Sequence, residues 1–374
     1  MIYLKYRFKY KIFNIFGFFL LLFFLNSCAT NVRVSILKPA TIDIGDLQNL
    51  AVSDFEFIGD WTFKEEGTPP LTEVAGKIIK NIIDGKKRGR NRQHHPRKAF
   101  PGSRISEKFE TKLLENGHYS VIERDEQLDK LLKEQKLSMS GMINEGESSE
   151  LGQMKGVDAY MFGSGRYYVD DIGGWYTRKD DDGIIKEVFY KIQRKVRVEL
   201  TYKIVNVETG QIVASKKNNK AEKVSSRAKN KEKAIKKLSD WEPIVDKITD
   251  RLVKKSVNQI APHYIRASRQ IKHGKSVGMK TGLEYAKRNM WKDAKESWEA
   301  VLKDKTPDAI QDKIHAKYNL GVYYEIHDEL DQAEELFNQC YRESGKSTYL
   351  DAVQRVQTRK EEILMLKDQQ QVED

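Results

Sequence analysis

The chain has 374 residues, a formal net charge of +11, 32% charged residues and 39% hydrophobic residues. At ~100–200 residues per domain this gives two soluble domains or three with ordinary cores. There are two cysteines, Cys28 and Cys340; if Cys28 is lipidated only Cys340 remains, which excludes a disulfide framework and a cysteine-based metal site.

The chain opens on a basic segment (Lys5, Arg7, Lys9, Lys11) followed by an apolar run from Ile12 to Leu25. That is the layout of an export signal, and the run is shorter than the ~20 apolar residues of a comfortable membrane span. Leu25-Asn26-Ser27-Cys28 resembles a bacterial lipoprotein box, with a Leu three residues before a Cys. The resemblance implies a signal peptide over 1–27, a diacylglyceryl group on the Cys28 thiol, cleavage just before Cys28 and acylation, palmitate included, of the new amino group. Each buried CH₂ of such chains contributes ~0.8 kcal/mol of membrane affinity. A plain secretory signal or an uncleaved anchor is the alternative. Ala29-Thr30 carries no Asp of the kind that resembles an inner-membrane retention signal, and no acidic cluster follows Cys28. The expected place is the outer membrane, facing the periplasm. An exported basic protein meets anionic lipid, lipopolysaccharide or cell-wall polymer rather than nucleic acid.

Residues 28–46 read as a tether. Leu47–Phe57 has the character of a strand. A helical stretch follows from Leu71 to Ile83. The basic run Lys86, Lys87, Arg88, Arg90, Arg92, Arg97 and Lys98 reads as a solvated loop or, functionally, as an anionic-surface patch. Ile105, Phe109, Leu113 and Leu114 have helical spacing, with Gly117 as a left-handed cap. His118–Ile122 is a strand, and a helix with Leu128, Leu131 and Leu132 on one face begins at Glu123. A short polar helix over 148–154 leads to an apolar strand over 157–165 that ends in glycines. Strands and helices in this order imply an α/β layer.

AVSDFE (51–56), ISEKFETKLLENG (105–117), YSVIERDEQLDKLLKEQKLSMSG (119–141), GVDAYMFGS (156–164) and VRVELTYKIVNVETGQIVAS (196–215) resemble, in order, the curli-secretion-channel (CsgG-like) domain. The resemblance implies a lipid-anchored periplasmic α/β domain over 47–262, a small sheet with covering helices. Members that form ring-shaped pores contribute two transmembrane hairpins per protomer, so a homo-oligomer comes with the resemblance. The first hairpin slot is 166–195. Val188, Tyr190, Ile192, Val196, Val198 and Leu200 alternate on one arm, and the arm 168–182 carries Asp170, Asp171 and Asp180–Asp182, the last three reading as a turn beside Gly183. The second slot, 216–238, is rich in Lys and has no apolar alternation. Lipid-facing charges cost ~2–4 kcal/mol each near the midplane, so this slot is expected to be a solvated turn leading into a helix, not a membrane hairpin.

Helical spacing returns over Trp241–Ile260, and Pro262 and Gly274 mark a joint. Over 275–366 a repeat appears: Gly282, Tyr285, Ala294, Trp298 and Val301 correspond to Gly321, Tyr324, Ala333, Phe337 and Cys340, always 39 positions on. It resembles the tetratricopeptide repeat, whose usual period is about 34. The resemblance implies an all-α helical-repeat domain capped by a helix over 349–366. Met279, Leu283, Tyr318 and Val322 are the candidate groove residues for a partner, and Cys340 reads as a buried core thiol. Residues 367–374 read as a disordered tail.

No nucleophile with a base, phosphate loop or metal-ligand spacing emerges, so no enzyme and no cofactor is expected. The function expected is an outer-membrane-anchored periplasmic scaffold for envelope assembly or protein export. Its partners would be the bilayer, through acylated Cys28, and envelope or export proteins, through the repeats. The alternative is an oligomeric CsgG-like secretion pore; a cell-wall hydrolase ranks last.

Overall fold

The computed structural model describes residues 30–67, 100–123, 156–306 and 310–370. In chain order the elements are β1 (Thr30–Lys38), β2 (Asn49–Val52), β3 (Glu56–Glu66), α1 (Ser103–Asn116), β4 (Ser120–Val121), β5 (Ala159–Lys179), β6 (Ile185–Asn206) and β7 (Ile212–Ala228). Then come α2 (Lys231–Lys237), α3 (Trp241–Ile260), β8 (His263–Ile271), α4 (Val277–Lys287), α5 (Trp291–Lys303), α6 (Ile310–Ile326), α7 (Leu330–Ser344) and α8 (Thr348–Gln370). They form two units: an α/β unit over Ala40–Pro262, and a helical unit in which the strand β1 joins everything from His263 onward. The expected fold class, a sheet with covering helices followed by helices alone, is the one observed.

In the α/β unit the sheet order is β4-β2-β5-β6-β7, with β3 continuing the line of β2 along β5. β2 is parallel to β4 and β5, and β3 is parallel to β5. β6 is antiparallel to both β5 and β7. The residues that alternate along β6 (Tyr190, Ile192, Val196, Val198, Leu200, Tyr202, Ile204) are all buried on one face. α1 packs there through Ile105, Phe109 and Leu113, and α3 through Ile244, Val245, Ile248, Leu252, Val253 and Val257. Gly117 takes φ +77° and closes α1, its N–H reaching Leu113 O at 3.1 Å; a side chain is strained in that conformation. Asp180–Gly183 is the expected turn, between β5 and β6, with the Asp180 N–H on Ile184 O at 2.9 Å.

The Lys-rich segment corrects the sequence reading. It is not a solvated turn but the strand β7, paired with β6 from Ile212 to Ala228 before α2 begins. β-propensity bends to such a context. β7 points Lys217, Lys223 and Arg227 outward and presents Ala214, Asn218, Glu222 and Val224 to the covered side. Asn218, buried, donates to Ser256 Oγ at 3.0 Å and Gln259 Oε1 at 2.8 Å on α3. Glu222 accepts from Lys247 at 3.3 Å and from Arg251.

In the helical unit, residues 30–38, expected to be tether, are a strand. β1 pairs antiparallel with β8 in continuous register from Thr30↔Ile271 to Lys38↔His263. The joint expected between Pro262 and Gly274 is therefore a strand as well. Val32, Val34, Ile36 and Ile271 enter the helical core, which explains why the ribbon forms. Helices α4/α5 and α6/α7 are the two repeated hairpins. Their turns use Asn289 (φ 60°) and Asp328 (φ 57°), again 39 positions apart. α8 extends to Gln370, so residues 367–370 are helix, not tail.

A Cβ on Gly282 would lie 2.4 Å from the Trp298 ring, and one on Gly321 would lie 2.6 Å from the Phe337 ring. Each helix pair closes because an aromatic occupies the space that the glycine leaves. Gly321→Ala gains up to ~1 kcal/mol of helix propensity but forces a shift in a packed core, typically ~1–3 kcal/mol. Net destabilisation of the helical unit is expected in urea titration, and Gly321→Ala/Phe337→Leu should recover part of it. Stability unchanged in the single variant would mean that the Phe337 ring moves freely.

Candidate interaction surfaces

Among the described residues no helix covers the second face of the sheet where β3, β5, β6 and β7 meet, built from the residues that alternate with the core; toward β2 the same face is buried at Ala51, Val157 and Tyr160. β5 contributes Arg166, Tyr168 and Asp170; β6 contributes Lys191, Gln193, Lys195, Arg197, Glu199 and Lys203. Their neighbours are Asp60, Thr62 and Lys64 on β3, and Lys217, Lys223 and Arg227 on β7. Arg197 lies 4.3 Å over the ring of Tyr168, directly opposite it in register. Thr62 donates to Asp170 at 2.7 Å, and Arg166 lies 3.8 Å from Asp60. Lys217 lies 2.8 Å from Glu199 and, with Arg197 and Arg166 further off, holds that carboxyl below the usual range. The surface is ordered by cross-strand pairs and positively biased. Sequence reasoning missed it, although the odd positions from 191 to 203 are all polar.

Beneath it, Arg194 is the one buried charged residue of β6. It forms a fork with Asp171 on β5, Nε to Oδ1 at 2.8 Å and Nη2 to Oδ2 at 2.7 Å. Its Nη1 donates to Ser239 O at 2.8 Å, and its guanidinium lies 5.4 Å from the Trp61 ring.

The helical unit places the four expected groove residues elsewhere. Met279 and Val322 are fully buried, and Tyr318 and Leu283 nearly so. They lie in the core with Trp298 and Phe337 and hold the helices together, so none of them lines an open groove. Cys340 is buried as expected, donates to Ile314 O at 3.3 Å, and has its thiol pKa pushed up to about 12 by burial.

Charge in this unit is concentrated on Glu325 of α6, only 3% exposed. It accepts from Arg269 of β8 at 2.7 Å and from Arg355 of α8 at 2.8 and 2.7 Å. Asp328 accepts from Arg359 at 2.9 and 3.0 Å. Asp312 receives the N–H groups of Lys275 and Ser276 just before α4. Burial raises its carboxyl pKa, but those N–H groups outweigh it and hold the group below the usual range. His315 is held below the usual imidazole range by burial, with Lys272 and Lys346 in the same direction and the His273 carbonyl and Asp312 opposing.

Cys28 and the basic run from Lys86 to Lys98 lie outside the described residues, as do the helices expected over 71–83 and 148–154 and all but the first residue, Glu123, of the helix expected to begin there. Among the described residues no helix is long and apolar enough to cross a membrane.

Residues 97–278 match the family model described as "Curli production assembly/transport component CsgG". Residues 280–367 match "Domain of unknown function (DUF6340)", so the repeated helices carry that description and not the tetratricopeptide one. No curated protein matches the sequence. Among solved structures, a PelC dodecamer from Paraburkholderia phytofirmans is similar, with 10% identity and a TM-score of 0.26 over 62% of this chain and 98% of that one. The LpoB C-terminal domain from Salmonella enterica has 10% identity and a TM-score of 0.15, over 46% of this chain and 82% of that one. Lipoprotein GNA1162 from Neisseria meningitidis has 13% identity and a TM-score of 0.14, over 46% and 80%.

Proposed function

We propose that the chain is a cell-envelope assembly or export component, anchored to the outer membrane through acylated Cys28 and facing the periplasm, that works as a binding scaffold. The CsgG family match over 97–278 supports the envelope assembly role. The observation that favours scaffold over pore is the two-sidedness of the β5–β6–β7 sheet. One face is occupied by α1, α2 and α3. The other carries Lys191, Lys195, Arg197, Lys217, Lys223 and Arg227, where a lipid-facing strand needs apolar residues and each charge near the midplane costs ~2–4 kcal/mol. Exposed Ile58, Ile172 and Tyr176 lie on that face too, but set among these charges they form no continuous lipid-facing band.

The test is single-channel conductance in a planar bilayer, with acylated protein purified in mild detergent. Silence is expected. Discrete, steady conductance steps would put the pore reading first. The Cys28→Ala variant is the companion: it should move from the membrane to the soluble fraction, and persistent membrane residence would remove the lipid anchor from the proposal.

A further inference from the structure

We propose that the free edge of β1 docks an extended, acidic peptide segment of a partner protein, added as a third strand to the β1–β8 ribbon. The inference rests on the scaffold reading and gives it a site. Val32, Val34 and Ile36 of β1 are buried in the helical core, so the strand is fixed in place. β8 pairs with one edge only. At the other edge the Leu37 carbonyl accepts from the Arg359 guanidinium of α8 and so points away from β8. The N–H and C=O of one residue share a side, and the sides alternate along a strand. The backbone groups of Asn31, Arg33 and Ser35 therefore also point away from β8. Among the described residues they meet no hydrogen-bond partner.

These groups border a groove of about 980 Å³ lined by residues 31–35 and by Arg266, Lys287, Trp291, Ile326 and His327, among others. Its charged lining is cationic (Arg33, Arg266, Lys287), and among the described residues no carboxylate lines it. The Trp291 indole N–H donates to Asn289 Oδ1 at 2.6 Å, which fixes the ring at the groove wall. A second, smaller cavity of about 340 Å³ continues along the same strand past Ser35, Ile36 and Leu37. There Glu325 and Asp328 are already neutralised by Arg269, Arg355 and Arg359.

The edge selects the class of partner. It offers N–H donors and C=O acceptors in alternation. An anionic polymer or a lipid head group satisfies the donors and leaves the carbonyls bare. Only another extended backbone pairs both, as in strand addition, with side-chain charge supplying selectivity. A free edge of this kind invites pairing, and the cations restrict it to acidic segments.

The test uses the full chain in mild detergent and a fluorescein-labelled octapeptide of alternating Glu and Val, followed by anisotropy. Saturable binding is expected, with none for the alternating Lys and Val octapeptide. Ser35→Pro removes an outward N–H and leaves the ladder to β8 intact. It should weaken binding at least about tenfold with an unchanged far-UV spectrum. Arg33→Glu/Lys287→Glu should do the same and serves should the proline variant misfold. A ¹³C-carbonyl label in the bound peptide should shift its amide I band into the β range. Absence of saturable binding overturns the site. Binding that survives Ser35→Pro but not charge reversal overturns strand addition and leaves an anion site. Conductance steps with peptide binding retained would sink the scaffold reading alone; silent bilayers with no binding would sink this site alone.

Discussion

Glu325→Ala is expected to unfold the helical unit at a much lower urea concentration than the parent, with a loss of about 3–5 kcal/mol. Its side chain is 1% exposed and joins three elements: α6, which carries it, β8 through Arg269 and α8 through Arg355. The fork from Arg355 supplies two of its hydrogen bonds. Truncation removes the only carboxylate that Arg269 and Arg355 are seen to pair with among the described residues and leaves both guanidinium groups part-buried, at 12% and 33% side-chain exposure. Removing one partner from a buried cluster costs far more than the intact cluster contributes, because the remaining charges are desolvated without compensation. Glu325→Gln keeps the shape and one acceptor and should fall between the two. Hydrogen exchange locates the effect: α6, α8 and the β1–β8 ribbon should lose protection while α3 keeps it, since α3 belongs to a separate core. A loss under about 1 kcal/mol would mean that water reaches the cluster freely.

The same cluster shows what the sequence could and could not convey. Helices whose cores are local were legible. Trp241–Ile260 is α3 as expected, and the Ile105, Phe109 and Leu113 spacing is α1 with its Gly117 cap. The repeat was legible because glycine and aromatic recur at a fixed offset, and the structure brings each pair into contact. Pairing across long sequence separation was not. β1 and β8 are more than two hundred residues apart in the chain, and neither carries a turn signal toward the other. Yet Val32, Val34 and Ile36 alternate strictly, as do Ile265 and Ala267, which in retrospect is the mark of two half-buried strands. β7 was hidden for the opposite reason: its outward lysines dominate the composition, and of its two buried residues, Ala214 and Asn218, the one bonded to α3 is polar and reads as loop. The groove residues Met279, Leu283, Tyr318 and Val322 were placed on the right helices but on the wrong side. Periodicity identifies an apolar stripe without saying whether another helix covers it. One practical consequence follows from the ribbon. A truncation that ends at residue 278 removes the helices that cover Val32, Val34 and Ile36, so it exposes an apolar strand face as well as deleting the repeats.

The second large effect belongs to the α/β unit. Arg194→Met is expected to cost about 3–5 kcal/mol of its stability, whereas Arg194→Met/Asp171→Leu should recover most of that. The single change leaves Asp171, 4% exposed, in a site with no other cation paired to it among the described residues. It also removes the donor that Ser239 O uses in the turn between α2 and α3. The double change removes both charges and substitutes apolar volume on a face already filled by Trp61, Ile192 and Val196. A urea double-mutant cycle reads the coupling directly, and additive losses in the two single variants would refute a mutually dependent pair. The pair matters beyond stability because of where it lies. Asp171 and Arg194 are opposite each other on the covered side, and Asp170 and Lys195 are opposite each other one residue on, on the open side. A strand cannot rotate one of these pairs without rotating the other. The buried fork therefore sets the orientation in which the open sheet face presents its cations. Arg194→Met should therefore lower hydrogen-exchange protection along β5 and β6 even at temperatures where the unit remains folded, and the double variant should restore that protection together with the stability.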